Sequence, residues 1–445
     1  MNPIIRNLLS VIRRFKLAAT LNVLGLSVAF AAFMVIMIQL NYDYSFDKFH
    51  KDSDKIFRLE IHVALLFKTN VPLTPRPFAE RFFESSPHII AGAVTNHTAS
   101  TLGAGEAYFH VETDDVRNYF KEKSITVSPG FTDVFTFDFV EGADDALNVP
   151  GNAILPLSLA RKLFGKESAI GRQLIFENEN RTVGAVYRDF PANSIIQNCM
   201  YFAMPTDENK DNWGNWTYNV FIRVHDASNT PLIIENFMQT FDFTTMFGDD
   251  FTWEDAEKEG FTFKMYLSAL RDIHFLDDLQ YDYAPKASRQ TLLILFAIAI
   301  VIIAIAAINF TNFSTALTPM RIKSINTMRV LGVRRNMIRR SVLSEAIFVC
   351  LLAYLVSLLF IVLFNRTSLA RLVEADLSLS ANLLIVGGSA LTALLTGFFA
   401  GVYPSMYWWV YLLAFAAVGM ITAATVTFQN WRVASDDPLK AIKSE

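Results

Sequence analysis

Long apolar runs stand at both ends of the chain and leave a polar stretch of 247 residues, 43–289, between them. Residues 17–42 form a charge-free run of 26, residues 290–320 one of 31, and residues 346–365 one of 20. A membrane-spanning helix needs about 20 mostly apolar residues, and its backbone groups must bond to one another because lipid offers no partners. Each run therefore predicts a transmembrane helix.

A further charge-free run covers residues 377–431, and its 55 residues are too many for one spanning helix. We expect Gly397, Gly401 and the sequence Tyr403-Pro404-Ser405 to break it in two. The break gives a fourth span and a last apolar segment at 410–430. Four or five spans are predicted, because the turn before that segment is short and the charge of the tail does not fix its side.

Basic residues orient these spans. The first 16 residues hold four Lys or Arg and no acid, and residues 321–340 hold seven Lys or Arg and no acid. Cytoplasmic flanks carry such an excess, so we expect a cytoplasmic N-terminus, with residues 43–289 on the opposite side. The first run is longer than the apolar core of a signal peptide and lacks a small-residue cleavage site before Asn41, which favours an uncleaved anchor.

In the polar insert, residues 43–289, proline, glycine and polar turn residues separate short apolar segments, as is typical of a mixed α/β domain. Residues 152–155 predict a strand, and Pro156 and Gly165 bound a helix with Leu157, Ala160, Leu163 and Phe164 on one face. Residues 173–176 and 181–187 predict a hairpin around 177–180, ended by Asp189-Phe190-Pro191. The length allows two small subdomains, which the region 211–217 with Trp213 and Trp216 would join.

Acidic and basic residues are unevenly distributed along the chain. The whole sequence has a net charge of −4, yet the insert holds 37 acidic and 23 basic residues. An acidic domain argues against nucleic acid as a partner. The chain is 52% hydrophobic and 18% charged, which fits a membrane protein. Its two cysteines, Cys199 and Cys350, form no CxxC motif and predict no disulfide framework.

Motifs of catalysis are absent from the sequence. There is no HExxH, no GxSxG and no GxxxxGK[ST] phosphate loop, and the segment Gly165-Lys166-Glu167-Ser168 lacks the second glycine and the spacing. We therefore predict no catalytic, cofactor or metal site and no ATPase activity of the chain's own. The seven histidines lie in the insert, and we expect them on its surface or in loops. No ionisable residue lies at membrane depth, which argues against an ion-driven carrier.

Residues 321–340 are the best functional candidate from the sequence. They combine seven Lys or Arg with apolar residues near helical spacing, so the segment is basic and amphipathic. One interpretation is a topology signal that lies on anionic lipid. The other is a docking helix for a cytoplasmic partner, in which Gly332 permits a bend. Its candidate contact residues are Arg321, Met328, Arg329, Leu331, Gly332, Arg334, Arg335 and Ile338.

Longer motifs make the sequence resemble a known family. The segments 22–30, 44–50 and 54–59 look like the first span and exit of MacB/FtsX-type ABC transporter permeases, in the form common in Bacteroides-like bacteria. Segments 127–142 and 157–165 resemble the MacB-type periplasmic core domain. Segments 308–316, 329–332, 343–345 and 401–404 resemble the FtsX-type membrane domain. Lys323-Ser-Ile-Asn326 stands where the family usually has Lys-Glu-Ile-Gly.

The resemblance implies a membrane α-helical protein with a large α+β periplasmic domain between helices 1 and 2. The expected domains are 1–42, the N-terminal helix and first span; 43–289, the periplasmic domain; 290–408, the FtsX-like membrane domain; and 409–445, a last apolar segment and tail. Residues 409–445 resemble the end of the second half of longer members, as though the part between were missing.

The same resemblance implies a multi-pass permease of the bacterial inner membrane that has no cofactor. Its expected partners are a cytoplasmic ABC ATPase, a second copy of the chain or another permease, membrane lipid and a periplasmic adaptor. Such permeases relay ATP-driven motion to the outer domain, and export is the first expectation. Two alternatives stay open: an FtsX-like signalling subunit that regulates a cell-wall hydrolase, and an inactive shortened remnant.

Overall fold

A computed structural model describes residues 16–64, 66–96, 106–113, 116–177, 179–282, 284–316, 326–327 and 329–402. The chain divides into two compact units. One is Asn41–Leu293, the inserted domain, and the other, the helical unit, comprises the residues up to Leu40 and from Ile294. Each unit has its own core.

The helices are α1 (Lys16–Tyr44), α2 (Arg76–Glu84), α3 (Phe131–Val134), α4 (Leu157–Phe164), α5 (Thr230–Thr240), α6 (Thr244–Phe247), α7 (Trp253–Lys258), α8 (Leu270–Ile273), α9 (Arg289–Ala316), α10 (Arg335–Asn365) and α11 (Leu383–Val402). The strands are β1 (Ile56–Val63), β2 (Ile89–Asn96), β3 (Glu106–Thr113), β4 (Val116–Val127), β5 (Phe139–Gly142), β6 (Asn152–Pro156), β7 (Gln173–Ile175), β8 (Asn180–Tyr187), β9 (Met200–Ala203), β10 (Tyr218–Val224) and β11 (Phe263–Ala269).

Four helices are long and apolar enough to cross a membrane: Ala19–Tyr44 within α1, α9, Asn336–Asn365 within α10, and α11. They confirm the four predicted spans. The predicted last segment, 410–430, lies outside the described residues. Phe30 and Met34 of α1, Phe310 of α9, and small residues of α10 and α11 form the core of the helical unit.

Of the predicted break at Gly397, Gly401 and Tyr403-Pro404-Ser405, the part at the two glycines was wrong, and the last three residues lie outside the described residues. The helix continues through Gly397 and Gly401 to Val402. A Cβ at Gly397 would lie 2.8 Å from the Cα of Ile347, and one at Gly401 would lie 2.9 Å from the Cβ of Ala346. Small residues at this spacing let two membrane helices approach closely, so these glycines form the seam between α10 and α11.

The inserted domain begins and ends in a four-stranded antiparallel sheet, in the order β11-β1-β10-β2. Helix α2 connects β1 to β2, and α5 lies between β10 and β11, which gives two interleaved βαβ units, the split βαβ arrangement. Phe78, Phe82 and Phe237 of these helices pack on the sheet through Ile61, Val220 and other buried side chains. This part is the first lobe.

A second lobe is inserted between β2 and β10. Strand β4 joins the lobes, because it pairs with β2 at Thr95–Val127 and also with β3 and β9. A core around Leu155, Leu163 and Val183 fills the second lobe, and another core, which includes Phe135 and Tyr187, extends to first-lobe residues such as Phe221. The chain returns from β9 to β10 through residues 204–217, whose Trp213 and Trp216 pack against the first-lobe core.

Local sequence signals were accurate in the second lobe. β6, α4 and the β7–β8 hairpin lie where they were predicted, and Gly165 ends α4 with a φ of 68°. Pro156 is the last residue of the strand and the N-cap residue of α4. Leu159 is buried and Leu157 is only half-buried, because the helix turns a slightly different face to the sheet from the one predicted.

We expect Gly397→Ala to destabilise the helical unit, because the backbone of α10 cannot yield to the new methyl group. Overpacking of this kind costs about 1–3 kcal/mol. Gly388→Ala is the matched control, since nothing lies within 4 Å of a Cβ there. Thermal melting of the detergent-solubilised protein should show a lower midpoint for Gly397→Ala alone; equal midpoints would mean that the seam is not tightly packed.

Candidate functional site

The predicted docking segment is a turn between two helical pieces. Arg321 and Met328 lie outside the described residues, whereas Arg329 is helical and Leu331 and Gly332 form a turn. Gly332 donates its backbone N–H to the Arg329 carbonyl and has a φ of 81°, which ends the first piece. The bend that was expected at Gly332 is therefore present.

The rest of the docking segment begins the next spanning helix. Arg334 is the N-cap residue of α10, Arg335 is its first residue, and Ile338 lies half-buried one turn later. The structure thus places Arg329 in the first helical piece, Leu331 and Gly332 at the turn, Arg334 at the N-cap of α10, and Arg335 and Ile338 within that helix.

Apolar side chains at this turn are exposed. Val330 is 87% exposed, Leu331 76% and Met337 61%. Val330 and Met337 were not among the predicted contact residues. Apolar residues that cluster on a surface beside basic ones are typical of an interface with a partner or with lipid. Val330 and Leu331 beside Gly332, and Met337 in the first turn of α10, are thus exposed apolar residues in a segment rich in arginine, and we call these three residues the apolar patch.

A second feature lies in the inserted domain, at the two places where the chain enters and leaves it. Asp43, in the last turn of α1, and His274, before α9, are 231 positions apart, yet their side chains meet. The His274 Nε2 and the Asp43 Oδ1 are 2.9 Å apart, and both side chains are almost wholly buried. We call residues 41–55 the entry segment and residues 270–289 the exit segment.

His274 is fixed on every side. Its Nδ1 lies 2.8 Å from the carbonyl oxygen of Pro285, within the exit segment. Its ring stacks on Phe46 of the entry segment, with centroids 3.8 Å apart and planes 7° apart. The imidazole therefore holds the entry segment, the exit segment and the turn before α9 together.

A second polar cluster ties the exit segment to strand β1. Arg58 donates two hydrogen bonds to Asp282, at 3.1 and 2.7 Å, and two more to Glu60. Lys286 donates to Asp282 at 2.6 Å and to the carbonyl of Ile273. Arg58, Glu60 and Asp282 are buried, and the two cations hold the pKa of Asp282 below its usual value despite its desolvation.

A third pair, Asp47 and His50, anchors the entry segment to the second lobe. Asp47 accepts hydrogen bonds from the Ser194 hydroxyl at 2.6 Å and from the Ile195 backbone at 3.1 Å. His50 accepts one from the Thr136 backbone at Nδ1, which leaves the proton on Nε2, 3.9 Å from Asp47. Burial raises the pKa of Asp47 to about 7 and lowers the pKa of His50 to about 3.

The prediction of surface histidines was wrong for His50 and His274, which are buried. Sequence reasoning also missed Asp43, Arg58 and Asp282, because no local pattern pairs residues more than 200 positions apart. No group of His, Cys, Asp or Glu among the described residues could hold a metal ion. The clusters fix the geometry of the entry and exit segments. We call the four buried residues Asp43, His274, Arg58 and Asp282 the joint, because they connect these segments to each other and to strand β1.

The Asp47–His50 pair generates a pH prediction. Asp47 keeps its proton up to about pH 7 in the folded state and loses it near 3.8 when unfolded, so its stabilisation falls as pH rises between those values. His50 stays neutral down to about pH 3 when folded and gains a proton below 6.5 when unfolded, so its stabilisation falls as pH drops. The two slopes oppose each other in the wild type.

We therefore expect Asp47→Asn to expose the His50 slope. As the pH rises from 4 to 7, the free energy of unfolding of this variant should increase relative to that of the wild type by up to about 1.4 kcal/mol per pH unit. Melting temperatures of the solubilised protein across that range measure it, with Asp249→Asn, an exposed position, as the control. A gap that does not change with pH would contradict the assigned protonation of Asp47.

Known proteins resemble the chain in parts. Similar solved structures include a domain of a permease from Porphyromonas gingivalis, with 20% identity, 56% of this chain and 99% of that chain covered, and a TM-score of 0.38. They also include the extracellular domain of the noncanonic ABC-type transporter YknZ from Gram-positive bacteria, with 14% identity, 47% and 99% covered, and a TM-score of 0.30.

A third is the periplasmic region of MacB from Actinobacillus actinomycetemcomitans, with 13% identity, 48% and 89% covered, and a TM-score of 0.31. No curated protein matches the chain.

Two family models match the sequence and do not overlap. The MacB-like periplasmic core domain matches residues 19–239, and the C-terminal part of an FtsX-like permease matches residues 296–438. The first covers α1 and most of the inserted domain, and the second covers α9, α10 and α11. The chain therefore belongs to the MacB/FtsX type of ABC transporter permease.

Proposed function

We propose that this chain couples ATP hydrolysis by a separate cytoplasmic ATPase to work done by its inserted domain outside the inner membrane, with export as the leading function. The observation that carries the proposal is the buried joint of Asp43, His274, Arg58 and Asp282. It ties the end of the first span to the residues that precede the second. A device that relays motion needs such a stiff connection at the base of the moving domain.

The orientation follows from the basic flanks. The N-terminus and the turn at 329–334 face the cytoplasm, where an ATPase is available, and the inserted domain faces the periplasm. The absence of a phosphate loop from the sequence supports the need for a separate ATPase. Because an ABC ATPase acts as a pair, the chain pairs with a second copy or with another permease.

The relay has three steps. The ATPase binds the apolar patch of Val330, Leu331 and Met337, and its closure displaces the turn that begins α10. The spans carry the displacement to the ends of α1 and α9. Because α9 begins at Arg289, which pairs with Asp272 of the exit segment, and because His274 holds that segment to Asp43, the base of the inserted domain follows as one body.

A signalling subunit would use the same joint but act on a periplasmic hydrolase instead of a cargo. The two-lobed insert favours export, since a domain of this size offers surfaces for cargo or adaptor in addition to the joint. Co-purification from mild detergent separates these possibilities, because it reports which periplasmic partner accompanies the ATPase. Absence of any ATPase would support an inactive remnant.

We expect Leu331→Asp to prevent the ATPase from binding. At an interface, the variant would bury an unpaired carboxylate at a cost of several kcal/mol, whereas Arg334→Ala should mainly slow association and change its salt dependence. Leu372→Asp is the control, because Leu372 is 81% exposed in the loop predicted to face outside.

The readouts are the amount of ATPase that co-purifies and the amount of permease in the membrane. Wild-type stoichiometry of the ATPase with Leu331→Asp would show that the segment is only a topology signal, as would a loss of membrane insertion on removing Arg334 alone.

We expect His274→Phe to uncouple the inserted domain from the ATPase. The phenyl ring can still stack on Phe46, but it loses both hydrogen bonds of the imidazole. Hydrogen exchange of residues 263–289, measured with and without a non-hydrolysable ATP analogue in the assembled complex, should lose its nucleotide response. His225→Phe, at an exposed position, should keep it. An unchanged response in His274→Phe would exclude the joint from the relay.

A further inference from the structure

The first lobe contains a polar cavity of about 400 Å³ that is open to solvent and has Asp278 of the exit segment in its lining. Its floor is formed by the paired strands β1 and β11, and its walls by residues 68–70 and by Asp278. Pockets that hold small ligands in proteins range from about 300 to 1,000 Å³, so this one has room for a small organic molecule.

The floor of the cavity is set by strand register. His62 of β1 is the direct cross-strand partner of Lys264 of β11. Tyr266 lies two residues further along β11 and therefore on the same face as Lys264, opposite to Phe263 and Met265, which belong to the core. The sheet thus presents an imidazole, an ammonium group and a phenol side by side.

The walls are held in place before any ligand arrives. The backbone N–H of Gln280 donates to the carbonyl of Asn70 at 2.9 Å, and the Gln280 side chain accepts from the backbone of Lys68. Ile61 and Val71 exchange two backbone hydrogen bonds at the end of the same loop. A cavity whose walls are bonded to each other needs little ordering on binding, which favours affinity.

Charge in the cavity is unbalanced. Within the part of the chain that the structure describes, neither Lys68 nor Lys264 has an ion-pair partner, whereas Lys286 and Lys258 in the same domain do. The lining holds two ammonium groups, Lys68 and Lys264, and one carboxylate, Asp278, so it carries one excess positive charge.

We propose that this cavity is a binding site for a small organic carboxylate. Lys68 and Lys264 supply the positive charge for one anionic group, and the Tyr266 hydroxyl and the Asn70 amide supply neutral hydrogen-bond donors. Asp278 restricts the site to a monoanion, because a second negative charge on the ligand would meet its carboxylate.

The test uses the full-length protein in maltoside detergent and saturation-transfer NMR on three probes. N-acetylglycine carries the carboxylate, and N-acetylglycinamide is its neutral analogue. Inorganic phosphate, a more highly charged anion without carbon-bound protons, is measured by its competition with N-acetylglycine. We expect saturable binding of N-acetylglycine, none of the amide, and phosphate at least fivefold weaker. Binding of the amide as tight as the carboxylate, tighter binding of phosphate, or no binding of N-acetylglycine would overturn the proposal.

Two variants locate the binding. Lys264→Met keeps an aliphatic chain on an exposed strand position, so the fold should be unaffected, and it should raise the Kd for N-acetylglycine at least tenfold. Lys166→Met removes an exposed lysine from the second lobe and should leave the Kd unchanged. An equal effect of both variants, or no effect of Lys264→Met at an unchanged melting temperature, would show that this cavity is not the site.

Discussion

The contact between Asp43 and His274 is the constraint on which the inserted domain depends at its base. It joins the residue at the end of the first span to the segment that leads into the second, across 231 positions of sequence. Both groups are buried, and removing one partner of such a pair typically costs about 3–5 kcal/mol because the other is left without its bond. The chain therefore cannot move one connection without either moving the other or breaking this contact.

One buried contact alone would hold the two segments weakly, and further buried hydrogen bonds around it strengthen the connection. Arg58 binds Asp282 with both guanidinium nitrogens of its fork, a geometry that fixes direction as well as distance. Lys286 and Ser268 satisfy the remaining acceptors of Asp282 and Glu60. Because these groups are buried and mutually bonded, their free energy depends on all of them being in place, and the joint behaves as one unit.

The sequence predicted what depends on composition and on near neighbours. Spans follow from apolar run length, and β6, α4 and the β7–β8 hairpin follow from punctuation by Pro156, Gly165 and the polar turn at 177–180. Sequence analysis did not predict contacts between residues far apart in the chain, such as the one between His274 and Asp43. It also misread Gly397 as a break, because the same residue type that ends a helix in water allows close helix packing in a membrane; only the position of Ile347 distinguishes the two.

The turn around Gly332 and the joint at the base of the inserted domain differ in the way that the proposed relay requires. At the turn around Gly332 the apolar side chains are exposed and the backbone changes direction at a positive φ, so this surface is open to a partner. At the base of the inserted domain the polar side chains are buried and each is bonded, so the geometry is fixed. In the proposed relay the base of the inserted domain has to be stiff, since a compliant base would absorb the displacement. In the proposed relay, the buried contact between Asp43 and His274 keeps the base of the inserted domain stiff, and the free energy needed to break that contact limits the work the base can transmit before it opens.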